Sequence, residues 1–276
     1  MKKLLLLGVL LLIGCDGAID SQYSPQIVIQ GFIYPGEGID SVVLHYTTPY
    51  TIAYSDSASA ITDALVNILV DGKEYPLQKL PTRYGGRYYL PKSTLTIQGG
   101  KTYQLIVQAG GMTATASTTV PMPIHLTNRD SAFPPGNILM LDTNNATDFT
   151  FKLTAGPVDE PNRLYMLQVT ALDTSVGKIH TGIQGPPVDT GASTRYGFIQ
   201  TAPNMQIYSR LFGWFGPNRL TMLALDTNWV DYKRAVGYGG ESFMPYQPSL
   251  NHINGGIGCW GSAGRDTITV YVKLKR

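Results

Sequence analysis

Cysteine, histidine and charge are all scarce in this 276-residue chain: two cysteines, four histidines and a charged fraction of 14%. Soluble domains carry about 25% charged residues. The four histidines, His45, His125, His180 and His252, are scattered, without H-x-x-x-H spacing or paired cysteines. Neither a zinc-finger nor a zincin pattern can be built from them. No apolar run reaches the ~20 residues that a membrane-spanning helix needs. No sustained heptad is present either, so a coiled coil is out. No cofactor is implied.

The longest apolar run is the first one. Lys2 and Lys3 precede Leu4–Ile13, and Leu12-Ile13-Gly14-Cys15 follows the lipobox pattern of a lipoprotein signal. This reads as an export leader, 1–14, with lipid to be carried by Cys15 and a short polar tether, 15–25. Several acyl chains on one cysteine hold a protein at a bilayer, where a single chain holds it only marginally. Losing the leader would take 14 of 276 residues and two of the 21 basic ones, leaving 19 against 19 acidic. A net charge of zero gives no electrostatic basis for binding nucleic acid. Assigning Cys15 to lipid leaves Cys259 alone, so no internal disulfide forms. Cys259 then reads as a buried small hydrophobe beside Trp260, or as a thiol that pairs between chains or reacts.

Thirty glycines, 18 prolines and 17 tyrosines are abundant, the balance of an exported all-β chain rich in turns. Strand signals run through Gln26–Tyr34, Asp40–Tyr46, Ala64–Lys79, Gly86–Leu90, Tyr103–Ala109 and Met112–Val120. In Ala64, Val66, Ile68 and Val70, and again in Tyr103, Leu105, Val107 and Ala109, apolar residues alternate with period two. Such alternation puts one face in a core and one in water. Asp71-Gly72 is a favoured hairpin turn. These strands predict an Ig-like or prealbumin-like β-sandwich over 26–121. Pro121-Met122-Pro123 breaks any ladder and marks a boundary. A larger, loop-rich β domain is expected over 122–276. Its strands are expected at Asp148–Thr154, Arg163–Leu172, Tyr196–Thr201, Leu220–Asp226 and Asp266–Leu274. One helix is expected at Asn228–Val236, capped by Asp226 or Thr227 and ended by Gly237, Gly239 and Gly240. Long loops are expected at 131–146, 173–194 and 237–265.

Several segments together resemble one family. They are Gln26-Ile-Val-Ile-Gln-Gly-Phe-Ile-Tyr34 soon after the lipobox cysteine, Ala64/Val66/Ile68, Gly86–Leu90, Lys101–Leu105 with the strand ending at Val120-Pro121, and Asn251–Gly261. The chain is similar to an uncharacterised Bacteroidota-type lipoprotein family, domain of unknown function 4249, with Trp260 standing where that family more often has Phe. The resemblance implies a cell-envelope lipoprotein at the outer membrane, and an accessory of TonB-dependent transporters. It implies no activity and no catalytic residue.

Candidate chemistry is sparse. Asn251, Gly255, Gly256, Gly258 and Trp260 form either a ligand loop with open backbone amides and an aromatic platform, or a tight segment whose Ile257 and Trp260 plug the core. Trp214 and Phe215, between Gly213 and Gly216, are candidates for a partner surface within a denser aromatic set that also includes Phe212, Trp229, Tyr232, Tyr238, Phe243 and Tyr246. Asp142–Asp148 spaces oxygen ligands alternately but lacks the central Gly and closing Glu of a Ca²⁺ loop, so no metal ligand is assigned. Asp226, Asp231 and Glu241 could pair as hydrolytic carboxylates. Cys259 and His252 share a segment without nucleophile–base spacing, and Ser242 lacks the second Gly of a nucleophile elbow. No catalytic residue is assigned. The expectation is a non-catalytic accessory or binding protein of a TonB-dependent transporter. Its alternatives are a carbohydrate- or peptide-acting surface enzyme and a structural or adhesive surface protein.

Overall fold

The computed structural model describes residues 23–49, 51–82, 85–141, 150–157, 163–179, 194–236 and 250–275. The leader, Cys15, Asp142–Asp148, His180, Gly237, Tyr238, Gly239, Gly240, Glu241, Ser242, Phe243 and Tyr246 lie outside the described residues.

The first sandwich is built from short alternating strands. These are β1 (Ile27–Ile33), β2 (Ile39–Tyr46), β3 (Leu65–Val70), β4 (Lys73–Pro76), β5 (Gln78–Lys79), β6 (Arg87–Leu90), β7 (Thr102–Ala109) and β8 (Met112–Thr119), with a one-turn helix α1 (Asp56–Ser59) after β2. The predicted alternation is realised: Val66, Ile68 and Val70, and Tyr103, Leu105, Val107 and Ala109, are all buried. Asp71 and Gly72 both take positive φ, 51° and 74°, as the two-residue turn of a right-twisted hairpin requires. Ser55 caps α1 by accepting from the Ala58 amide.

The second half adds β9 (His125–Leu126), β10 (Ile138–Leu141), β11 (Thr150–Gly156), β12 (Leu164–Ala171), β13 (Thr194–Gln200), β14 (Asn204–Tyr208), β15 (Gly216–Leu225), helix α2 (Thr227–Ala235), β16 (Ile253–Asn254) and β17 (Gly256–Leu274). The chain is mostly β. β9, β10 and β14 are strands of two to five residues that the sequence did not single out. The larger difference is β17, which begins at Gly256, ten residues before the expected Asp266. The stretch expected to be loop up to 265 is in part central strand.

This strand joins the halves. β17 pairs in parallel with β1 from Ile27↔Gly256 to Ile33↔Ser262, then antiparallel with β15 from Leu225↔Ala263 to Gly216↔Val272. One nine-stranded sheet results, in the order β13-β12-β15-β17-β1-β2-β6-β5, with β10 on the end of β17. A five-stranded sheet, β16-β8-β7-β3-β4, covers its lower half, and a three-stranded sheet, β14-β11-β9, belongs to the upper half. Pro121-Met122-Pro123 does separate β8 from β9. Yet β16 and the start of β17 return from the second half to complete the first sandwich.

Three apolar clusters follow from this layering. The first lies between the lower sheets and includes Ile29, Leu44, Ile68, Leu105 and Trp260. The second fills the upper sandwich, with Leu141, Leu153, Tyr165, Ile207, Leu220 and Val270. The third gathers Met166, Leu223, Leu225, Trp229, Val230 and Ala263, and so packs α2 onto the large sheet. Burial of β12 and β15 under both the second and third clusters explains why β15 shows a near-continuous buried run rather than alternation.

Candidate functional site

The Gly-rich segment and helix α2 meet where the two sandwiches join. The backbone of the segment is already spent. Ile253 and Asn254 pair with Ala116 and Thr115 of β8, and Gly256 onward pairs with β1. Asn251 closes the turn, its Nδ2 donating to the carbonyls of Ile253 (3.0 Å) and Gly256 (2.8 Å). Gly255 and Gly258 take φ of +78° and +117°, and a Cβ on either would come within 2.2 Å of Thr113 O or 2.0 Å of Ile29 O. These glycines serve close strand approach. Trp260 is 1% exposed. Its Nε1 donates to Tyr103 O at 3.1 Å, and its ring lies where a Cβ on Gly31 would stand, 2.8 Å away. Buried this way, the indole offers no platform to a ligand from solvent.

Trp214 and Phe215 are not brought to this segment. Phe215 packs on the second cluster, and its amide donates to Gly177 O at 3.0 Å. Lys178 lies over the partly exposed Trp214 ring, 5.4 Å from the centroid. Of the wider aromatic set, Phe212 is core and Trp229 is buried against Phe32, with ring centroids 4.2 Å apart.

The joint itself is polar. Asp226 caps α2, with Oδ1 accepting from the Trp229 amide at 2.9 Å. Its Oδ2 accepts from Thr118 Oγ1 of β8. Thr118 also shares a 2.6 Å hydrogen bond with Ser262 of β17. Asn228 Nδ2 donates to Ser117 O (2.7 Å) and Trp260 O (2.9 Å), so one amide clamps helix, β8 and β17. Burial pushes the Asp226 carboxyl above the ordinary 3.8, and hydrogen bonds from Thr118, the Trp229 amide and Ser262 oppose the shift. Of the two caps the sequence offers, Asp226 and Thr227, the structure uses Asp226, and nothing in the sequence marks Thr118 and Ser262 as its partners. Thr118 carries one signal, a polar residue on the buried face of an alternating strand.

The reactive residues take separate roles. Cys259 is 2% exposed, with Sγ toward Asn228 O at 3.8 Å. Burial, reinforced by the Asp226 charge and opposed by Lys233, drives its pKa far up, so the thiolate is not available near neutral pH. His252 does not face it. His252 Nε2 sits 2.8 Å from Asp231 Oδ2, and Asp231 Oδ1 is 3.2 Å from Arg234. Beside the joint lies an open depression of about 540 Å³, lined among others by Ser117, Arg163, Asp226, Asn228, Asp231 and Arg234. A second, of about 610 Å³, lies on the upper sandwich beside Arg129, Phe133, Asn137 and Thr269. Among the described residues, no three of His, Cys, Asp and Glu converge as a metal site.

The sequence matches the family model described as Domain of unknown function (DUF4249) over residues 17–269. The chain belongs to this family. The match runs through both sandwiches and the joint, so the family unit is the whole two-sandwich body. A crystal structure of a Salmonella alpha-2-macroglobulin variant is similar at 12% identity and TM-score 0.23, over 91% of this chain but 15% of that one. That likeness carries no argument about fold or function. No curated protein matches the sequence.

Proposed function

We propose that this DUF4249 protein is a lipoprotein of the cell envelope, anchored at the outer membrane through lipid on Cys15, and that it acts without catalysis as an accessory or binding protein of a TonB-dependent transporter. The address rests on the Leu12–Cys15 signal, and the transporter on the family resemblance. The observation that carries a binding role over an enzymatic one is the joint. Asp226, Thr118, Ser262 and Asn228, which line or adjoin the central depression, hold the sandwiches together, and Cys259 is sealed beneath them. Groups committed to such bonds are poor proton donors or nucleophiles, because using them would unmake the fold.

One observation favours the surface-enzyme reading: the Asp231–His252 pair stands at 2.8 Å, and Asp231 lines the depression. Mild-detergent affinity purification of the tagged, lipidated protein from its own envelope separates the two. A stoichiometric outer-membrane transporter is expected. Recovery of the protein alone, together with a glycan- or peptide-hydrolysing activity abolished by Asp231→Asn, would overturn the accessory role.

A further inference from the structure

Among the described residues of 23–121, four large apolar side chains stand exposed: Tyr23 (44%), Ile52 (61%), Tyr54 (62%) and Leu65 (68%). All four lie at one end of the first sandwich. Tyr23 Oη bonds the Thr47 carbonyl and its hydroxyl, just past the Ile27↔Tyr46 pair that starts β1. The Tyr54 ring lies tilted beside His45, with ring centroids 6.4 Å apart, and His45 pairs with Val28. Ile52 sits in the turn between them, its amide donating to Pro49 O. Leu65 opens β3 opposite Gln108, just before the Gly110-Gly111 turn that lies against Tyr46 Oη. The opposite end of this sandwich, at the Asp71-Gly72 hairpin, exposes no such side chain among the described residues.

This is also the end from which the chain departs toward Cys15. Eight residue steps separate Cys15 from Tyr23, a reach of at most about 29 Å. The far end of β17, 18 steps beyond Gly256, stands up to about 60 Å away along the strand. An anchor on Cys15 can therefore bring only the lower end to a bilayer. Among the described residues, the exposed charges around it, Asp56, Asp63, Lys79 and Arg87, balance in sign. They do not make the basic patch that an anionic membrane would select. Tyrosine and isoleucine at a neutral rim suit the bilayer interface, where an aromatic ring keeps its hydroxyl wet and its body in the acyl boundary.

We propose that Tyr23, Ile52, Tyr54 and Leu65 form a membrane-seating face, by which the first sandwich rests on the lipid surface that holds its anchor. This rests on lipidation of Cys15. The face fixes the orientation of the molecule, with the Asp71-Gly72 hairpin and the second sandwich held away from the bilayer. The test uses the full lipidated protein bound to vesicles of phosphatidylethanolamine and phosphatidylcholine. Ile52→Cys and, in a second protein, Lys73→Cys carry a nitroxide, while buried Cys259 stays unlabelled. The ratio of oxygen to nickel-chelate relaxation is expected to be several-fold higher at position 52 than at position 73, and Leu65→Cys should repeat the result of position 52. A water-like ratio at both 52 and 65, on protein that still floats with the vesicles, overturns the seating face and leaves the anchor standing. Failure to float overturns the anchor and the face together.

Discussion

The two sandwiches are made of the same kind of chain but written differently. In the lower one, β3, β7 and β8 each bury one face and wet the other, so apolar residues recur with period two. In the upper one, β12 and β15 are covered on both faces, by the second cluster on one side and by α2 with the third cluster on the other. Each contains a stretch of adjacent buried residues, Tyr165–Leu167 in β12 and Leu220–Leu225 in β15, where the period of two is lost. Between the two, β17 begins in glycines, residues that strands generally avoid. The lesson is that a sheet covered once announces itself, while a strand at a crowded joint hides. Its glycines are demanded by neighbouring backbone rather than by a turn.

The sharpest way to break this comparison is at those glycines. Gly258→Ala is expected to cost about 5 kcal/mol, enough to prevent stable folding, since positive φ and contact with Ile29 backbone act together. Gly72→Ala, in the legible hairpin with nothing within 4 Å, is expected to cost about 1–2 kcal/mol, the penalty of left-handed backbone alone. Urea unfolding of both variants reads the difference. Equal costs would return the Gly-rich segment to the status of a loop. Next comes Trp260→Ala, expected to cost about 3–5 kcal/mol for an emptied core site. Trp214→Ala, losing a partly exposed ring and one cation–π contact, should cost about 1 kcal/mol or less. A larger effect at Trp214 than at Trp260 would reverse the assignment of core and surface.

Much of the lower sandwich was legible from such patterns, as was α2 with its cap at Asp226 or Thr227, because a cap and a two-residue turn are local chemistry. The candidate site was legible only in its membership. Asn251, Gly255, Gly256, Gly258 and Trp260 stand out by composition, but their partners, β1 and β8, are more than a hundred residues away. No local rule tells an open glycine loop from a strand threaded between two others. Trp214 and Phe215 attracted attention through flanking glycines, and the fold places them in a different sandwich from Trp260. β9, β10 and β14 escaped because two to five residues hold too few periods to read.

Smaller effects sharpen the joint. Thr118→Val removes a donor to Asp226 and a partner of Ser262, and is expected to cost about 1–3 kcal/mol. The neighbouring Thr119→Val, on the exposed face with a bond to Thr102, should stay within about 0.5 kcal/mol. The Asp226 carboxyl gives a pH signature. Its folded pKa lies above the ordinary 3.8, so between that value and the folded pKa the native state holds a proton that the unfolded chain has released. The contribution is therefore full below about pH 3.8 and falls as pH rises through the folded pKa. Urea titrations from acid toward neutral pH should show this decline in the parent chain and not in Asp226→Asn. The smallest change expected is at Cys259. Maleimide should label it slowly in the native protein and fully in urea, and fast native labelling would contradict its sealed position.

Hydrogen exchange by mass spectrometry in increasing denaturant, comparing β7 of the lower sandwich with β15 of the upper, tests most directly whether β17 binds both sandwiches into one body. The account predicts that amides of Thr102–Ala109 and Gly216–Leu225 open with the same free energy and denaturant dependence. Exchange of the lower sandwich at low denaturant while the upper stays protected would contradict it, and would make the joint a seam between two independent domains.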